Sequence, residues 1–178
     1  MAEAFSNSVT RAAGIVTTMT GGAIGIQTNL ITGISTTNIA VNDLVDNTQF
    51  ILGTKVSSVG ASQVVCDRDS TNTSATTNQS INFLGPTTAY TSTSTKSILV
   101  GGTFANNTTQ SVNLTVSVWD NSASTEVSIA GNIPVPNGSS FVITDAGKTV
   151  LESSDEIRLY CDTKNAIDAT LSILTGVS

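Results

Sequence analysis

Histidine is absent from this chain of 178 residues. Its absence removes imidazole acid–base catalysis, imidazole metal ligands and every nucleophile triad built on an imidazole. Cysteine occurs twice, at Cys66 and Cys161. Two thiols cannot furnish a four-cysteine zinc site. With no motif around either, they read as buried, reduced thiols that pack as small hydrophobes; whether they pair is open at this level. Charged residues make up only 11% of the chain, against about 25% in an ordinary domain. The cations Arg11, Lys55, Arg68, Lys96, Lys148, Arg158 and Lys164 are scattered. A nucleic-acid groove needs clustered cations to displace counterions, so no nucleic-acid partner is expected. Long hydrophobic runs are also missing. A membrane-spanning helix needs about 18 or more consecutive apolar residues, and no membrane partner is expected. The opening MAEAFSNSVTR lacks the basic and apolar regions of a secretion signal.

What is present is alternation. Val112, Leu114, Val116 and Val118 alternate with Asn113, Thr115, Ser117 and Trp119, the period of a half-buried strand. Trp119 is out of phase with the valines and belongs to the opposite face. Ile167 to Ile173 alternates in the same way, as does Ile157 to Cys161. Shorter strands are expected at 97–100, 126–129 and 141–144, and an edge strand within Thr87–Lys96. In the first half, strands are expected at Ile26–Ile34, Thr54–Val59, Gln63–Arg68 and Gln79–Leu84. Turns fall between them at Asp120-Asn121, Asn137-Gly138, Asp145-Ala146-Gly147, Ser153–Asp155 and Lys164-Asn165. This spacing predicts an all-β fold, an antiparallel β-sandwich of jelly-roll or immunoglobulin-like type. Gly21-Gly22 and Gly85-Pro86 mark the limits of a first-half module, with Asp69–Asn78 as a polar loop inside it.

Three polar clusters invite a chemical reading. Ser139 and Ser140 lie near Lys148, but the spacing on one helix face that a serine–lysine pair uses is missing, and a turn is the expected structure. Glu152, Asp155 and Glu156 are candidate paired carboxylates, placed by their surroundings in a solvated corner. Asp67-Arg68-Asp69 opens like a calcium loop, yet Asn72 and Asn78 stand where that loop needs glycine and glutamate. The Asn-x-Ser/Thr sequons are those expected by chance in so Ser/Thr-rich a chain. No catalytic, cofactor-binding or metal-binding residue is assigned, no cofactor is expected, and the chain reads as not an enzyme.

The C-terminal phrases carry a resemblance. They are Pro134-Val135-Pro136-Asn137-Gly138, then Lys148, Val150, Leu151, Glu152, Asp155 and Ile157, then Asp168–Leu174; the opening Ala4–Arg11 joins them. Together they resemble small β-sandwich virion structural proteins of tailed bacteriophages, marine cyanophage-like. The resemblance covers residues 87–178 and the start of the chain. Residues between Gly14 and Thr87 depart from it and read as an insertion, so that 5–14 form a strand of the sandwich. The domain expectation is 1–20 as N-terminal arm or strand, 21–86 as a small inserted β module and 87–178 as the sandwich. The resemblance implies a non-enzymatic virion protein present in multiple copies, a neck/collar or tail-associated accessory subunit. Capsid decoration is the alternative, and a host-surface or carbohydrate-binding adhesin another. The implied partners are copies of itself and other virion proteins of neck, tail or capsid. The implied location is the virion, assembled in the bacterial host cytoplasm.

Overall fold

Alternating sequences of this kind pair as sheets, because each strand must bury one face and share its backbone hydrogen bonds with neighbours. The computed structural model describes residues 3–177, and the side chains of 145–148 lie outside that description. The strands are β1 (Ala4–Ala13), β2 (Ile15–Ile24), β3 (Leu30–Thr32), β4 (Leu44–Asp46), β5 (Val56–Val59), β6 (Gln63–Cys66) and β7 (Thr76–Gly85). They continue with β8 (Thr87–Thr91), β9 (Lys96–Asn106), β10 (Val112–Asp120), β11 (Thr125–Val135), β12 (Ser140–Glu152), β13 (Glu156–Cys161) and β14 (Ile167–Thr175). The fold is all-β, with no helix among the described residues.

Two compact units result: residues up to Gly14 with those from Thr87 onward, and Ile15–Pro86. The first is a sandwich of two four-stranded sheets, ordered β1-β14-β9-β12 and β11-β10-β13-β8. Its eight strands pair first with last (β1 with β14), second with seventh (β8 with β13), third with sixth (β9 with β12) and fourth with fifth (β10 with β11), all antiparallel. A long hairpin folded over on itself gives this pattern, which is the jelly roll. A seven-stranded immunoglobulin arrangement divides its strands differently. The core lies between the sheets, where Leu99, Phe104, Leu114, Leu159 and Leu171 are almost fully buried.

β1 lies at the edge of its sheet, in register with β14 from Ala4↔Thr175 to Ala13↔Ile167. The chain leaves this unit at Gly14 and returns at Thr87. The Gly14 N–H donates to Thr87 Oγ1 at 3.3 Å, and its carbonyl accepts from the Asn165 N–H at 3.0 Å. Its φ of +126°, with the Thr163 carbonyl oxygen where a Cβ would stand, restricts this exit point to glycine.

The second unit is a six-stranded antiparallel sheet, ordered β4-β7-β2-β3-β6-β5. Its ends meet. Leu44 of β4 bridges Lys55, the Val45 N–H donates to the Thr54 carbonyl at 2.8 Å, and the Val56 N–H to the Asp43 carbonyl at 2.9 Å. The sheet therefore curls until its two edge strands meet, as in a small barrel. Ile24, Ile31, Val56, Val64, Ile81 and Phe83 fill it.

Several expectations need correction. Gly21-Gly22 is not a boundary, and residues 15–20 belong to the barrel, not to an arm of 1–20. β2 runs through both glycines, and its pairing with β7 shifts register between Met19 and Gly22; a glycine pair marked a bulge. Ile26–Ile34 keeps only Leu30–Thr32 as strand. Asp145-Ala146-Gly147 is not a reversal. β12 continues through it, with the register against β9 jumping between Thr144 and Thr149. The polar Asp69–Asn78 segment is already strand from Thr76.

Candidate functional site

The polar clusters singled out in the sequence go to separate tasks. Ser139 donates its hydroxyl to the Pro136 carbonyl at 2.9 Å, around a turn in which Gly138 takes a φ of +63°. The side chain of Lys148 lies outside the described residues. Asp155 is 6% exposed and accepts the N–H groups of Glu152 (2.8 Å) and Asn121 (2.9 Å), so it ties two corners together. Glu156 instead accepts from Arg158 at 2.7 Å and from Thr88 at 3.2 Å. Two neighbouring acids thus have different partners.

In the barrel, Asp67 accepts the Lys55 N–H at 2.7 Å, while the Asn72 amide donates to the carbonyls of Gly25 (2.8 Å) and Ser74 (2.7 Å). Asn78 sits within β7. Among the described residues no group of three or more His, Cys, Asp or Glu side chains could hold a metal ion. Cys66 and Cys161 are free and buried, one in each unit. Burial first, and then the neighbouring Asp67 or Asp162, pushes each thiol up to about 12. Such thiols stay protonated and inert at neutral pH.

The most connected cluster was not legible as a site in the sequence. Residues directly opposite in a sheet share a face, and Trp119 stands opposite Glu126 on one side and Glu156 on the other. Ser117 stands opposite Arg158, and Thr115 opposite Tyr160. These residues line the outer face of the β11-β10-β13-β8 sheet. The Glu126 carboxylate, 1% exposed, accepts the hydroxyls of Ser117 and Tyr160, the latter at 2.9 Å, with Arg158 Nη1 at 3.6 Å. The Arg158 guanidinium lies over the Trp119 ring at 4.4 Å, a cation–π contact. Burial, reinforced by Glu126, raises the Tyr160 phenol above its ordinary value. Charge, hydroxyl and ring are therefore matched within the chain. One face of the only tryptophan is taken by Arg158. The available signal was Arg158 and Tyr160 at the non-core positions of the central strand β13, with Glu126 on the edge strand β11.

A groove of about 310 Å³ opens on the barrel, lined by Ala23, Ile24, Thr28, Leu30 and Thr76 among others. The buried Thr76 Oγ1 and Asn72 Oδ1 have no protein hydrogen-bond partner. The lining is mostly apolar, with threonine hydroxyls as its polar groups, and carries no ionisable side chain.

No protein-family model, curated protein or solved structure matches this chain.

Proposed function

We propose that this chain is a non-enzymatic structural subunit of a tailed-bacteriophage virion, used in multiple copies. The neck/collar or tail-associated position comes first and capsid decoration second. The observation that carries the reading is the eight-stranded jelly roll, a topology that recurs in viral capsid and lectin domains. This is a fold-level argument, and the virion resemblance of the sequence adds to it. Its phrases occupy the β11–β12 and β12–β13 corners and the last strand. There Ser139 and Asp155 hold turns together. Its partners on this reading are copies of itself and neighbouring virion proteins.

The test is immuno-electron microscopy of particles purified on a density gradient from lysates of the source, using antibody to the purified chain. Label at the neck, tail or shell supports the reading. Particles without label, with the protein confined to the soluble fraction, overturn it.

A carbohydrate-binding module is the second reading, favoured by the lectin use of the jelly roll and by half-buried Trp119 on an outer sheet face. A glycan array separates the two. Binding that is lost in Trp119→Ala favours the module.

A further inference from the structure

β1 is tied to the sandwich by its backbone more than by its side chains. Residues directly opposite in a sheet share a face. Ser6, Ser8 and Thr10 stand opposite Ile173, Leu171 and Ala169, three residues of the core. The inward positions of β1 therefore carry hydroxyls where β14 carries apolar side chains. Phe5 and Val9 take the outward positions and are 74% and 75% exposed. Of the β1 residues, Ala13 alone belongs to the core. Ser8 and Thr10 donate their hydroxyls to the Ala89 carbonyl at 2.8 and 3.4 Å. Otherwise the strand is held by its pairing with β14, from Ala4↔Thr175 to Thr10↔Ala169. A segment that buries so little apolar surface opens at low cost.

The far end of β1 is different. Beyond Thr10 the register slips, and Ala12 takes a φ of +56°, a left-handed conformation that strains an alanine. Its N–H donates to Asp168 Oδ1 at 2.7 Å. Just past this bend the chain is anchored. The Ala13 carbonyl accepts the Ala166 N–H at 2.8 Å, and Gly14 is held by Thr87 and Asn165. The arm 4–11 thus ends on a strained bend followed by a fixed point. Swinging the arm away releases the strain and leaves the anchor in place.

Opening leaves the β14 edge bare. Backbone groups between Ala169 and Thr175 lose their partners, and a bare edge pairs with another strand. We propose that this strand is β1 of a second copy, so that copies of the chain exchange their first strands. The occupant follows from the register, since β14 already accepts this sequence residue by residue. The same strand from another copy makes the same backbone bonds and the same hydroxyl contacts to Ala89. Exchange therefore loses no pairing, which is why swapping an identical element is a low-cost route to association. Extended, the eight residues of the arm span about 26 Å, the reach over which it finds a neighbour. This inference deepens the multi-copy reading proposed above and rests on it for its biological setting.

Two variants of the full chain, each adding one cysteine, test it: Asn7→Cys and Ser172→Cys. The positions are directly opposite, with Ser172 Oγ and Asn7 Oδ1 3.4 Å apart, so a disulfide spans them without backbone movement. The native Cys66 and Cys161 are buried and stay out of the reaction. The two variants carry tags of different length. They are mixed, incubated over a concentration series, treated with oxidised glutathione and separated on a non-reducing gel. A mixed 7–172 dimer is favoured only where one copy's β1 lies on the β14 of another. Asn7→Cys mixed with Thr103→Cys gives the level of chance encounter, because Thr103 pairs with β12 and β14 and not with β1. The expected yield of mixed dimer is about tenfold or more above that control, since pairing raises the effective concentration of the two thiols. Hydrogen exchange of the wild type should show the amides of residues 4–10 exchanging about tenfold or more faster than those shared by β14 and β9. Melting curves show that the variants are folded, and Phe5→Cys with Leu174→Cys, the next-but-one opposite pair, serves where the first pair does not fold. Mixed dimer at the control level, or residues 4–10 as protected as the β14–β9 amides, overturns the inference. Neither outcome touches the particle-labelling experiment, so failure of strand exchange and failure of the virion reading are told apart.

Discussion

The two sheets of the sandwich turn inward alike and outward unlike. Inside, both contribute branched apolar side chains to one core. Outside, the β11-β10-β13-β8 sheet carries Trp119, Arg158, Glu126, Tyr160 and Ser117, each engaged with another. The β1-β14-β9-β12 sheet carries exposed Phe5, Val9, Val100, Val142 and Val150, against Val127 alone on the strands of the other. A sheet face must either meet its polar requirements within the chain or leave apolar surface for something else to cover. One topology here does both. Substitutions within the network of the first face should destabilise the fold, while substitutions of the exposed apolar side chains on the second should cost little.

The largest effect is expected at Glu126. Glu126→Ala leaves Arg158, Tyr160 and Ser117 without their shared acceptor in a buried place. The expected loss is roughly 3 kcal/mol of unfolding free energy, read by urea denaturation. A loss below about 1 kcal/mol, the level of an ordinary surface pair, would mean that this face is not held by its network.

Next comes Tyr160→Phe, with an expected cost of about 1–2 kcal/mol at neutral pH from the lost hydrogen bond. The pH dependence has a definite sign. The folded phenol titrates above its ordinary value of 10.0, so the folded state holds a proton that the unfolded chain releases. The stabilisation is whole below pH 10 and drains away above it. The gap between wild type and Tyr160→Phe should narrow as pH rises past 10. A gap constant to alkaline pH would contradict the buried bond to Glu126.

A smaller effect is expected for the stacked pair. A double-mutant cycle over Trp119→Ala and Arg158→Ala should return a coupling of about 1 kcal/mol. Zero coupling would free the Trp119 ring for a ligand and strengthen the carbohydrate reading.

The smallest change in folding is expected at the exposed apolar side chains of the other face. Phe5→Ser should alter stability by no more than about 0.5 kcal/mol. A larger loss of monomer stability would show that Phe5 is packed within its own chain.

The sandwich strands were readable because their residues alternate. Val112 to Val118 and Ile167 to Ile173 carry the period of a sheet that is wet on one side, and both are strands. The barrel was harder. β2 contains Met19-Thr20-Gly21-Gly22, which no local rule reads as a strand interior, and it is held by pairing with β7, more than fifty positions further along the chain. β4 has three residues, Leu44–Asp46, too few to show a period. The bulge in β12 imitates a turn, since Asp-Ala-Gly is turn chemistry and only the continuous partner strand β9 keeps it extended. The two outer faces escaped the sequence for a related reason. Alternation says which residues point away from the core, but the row Phe5, Leu174, Ile98, Val150 exists only once register has aligned four strands from distant parts of the chain.

The central claim is that the outer face of the β11-β10-β13-β8 sheet is matched within the chain by the Glu126 carboxylate. A double-mutant cycle over Glu126→Gln and Tyr160→Phe, read by urea denaturation, tests it most directly. The expected result is a coupling of about 1–3 kcal/mol between the two residues. A coupling near zero would contradict it.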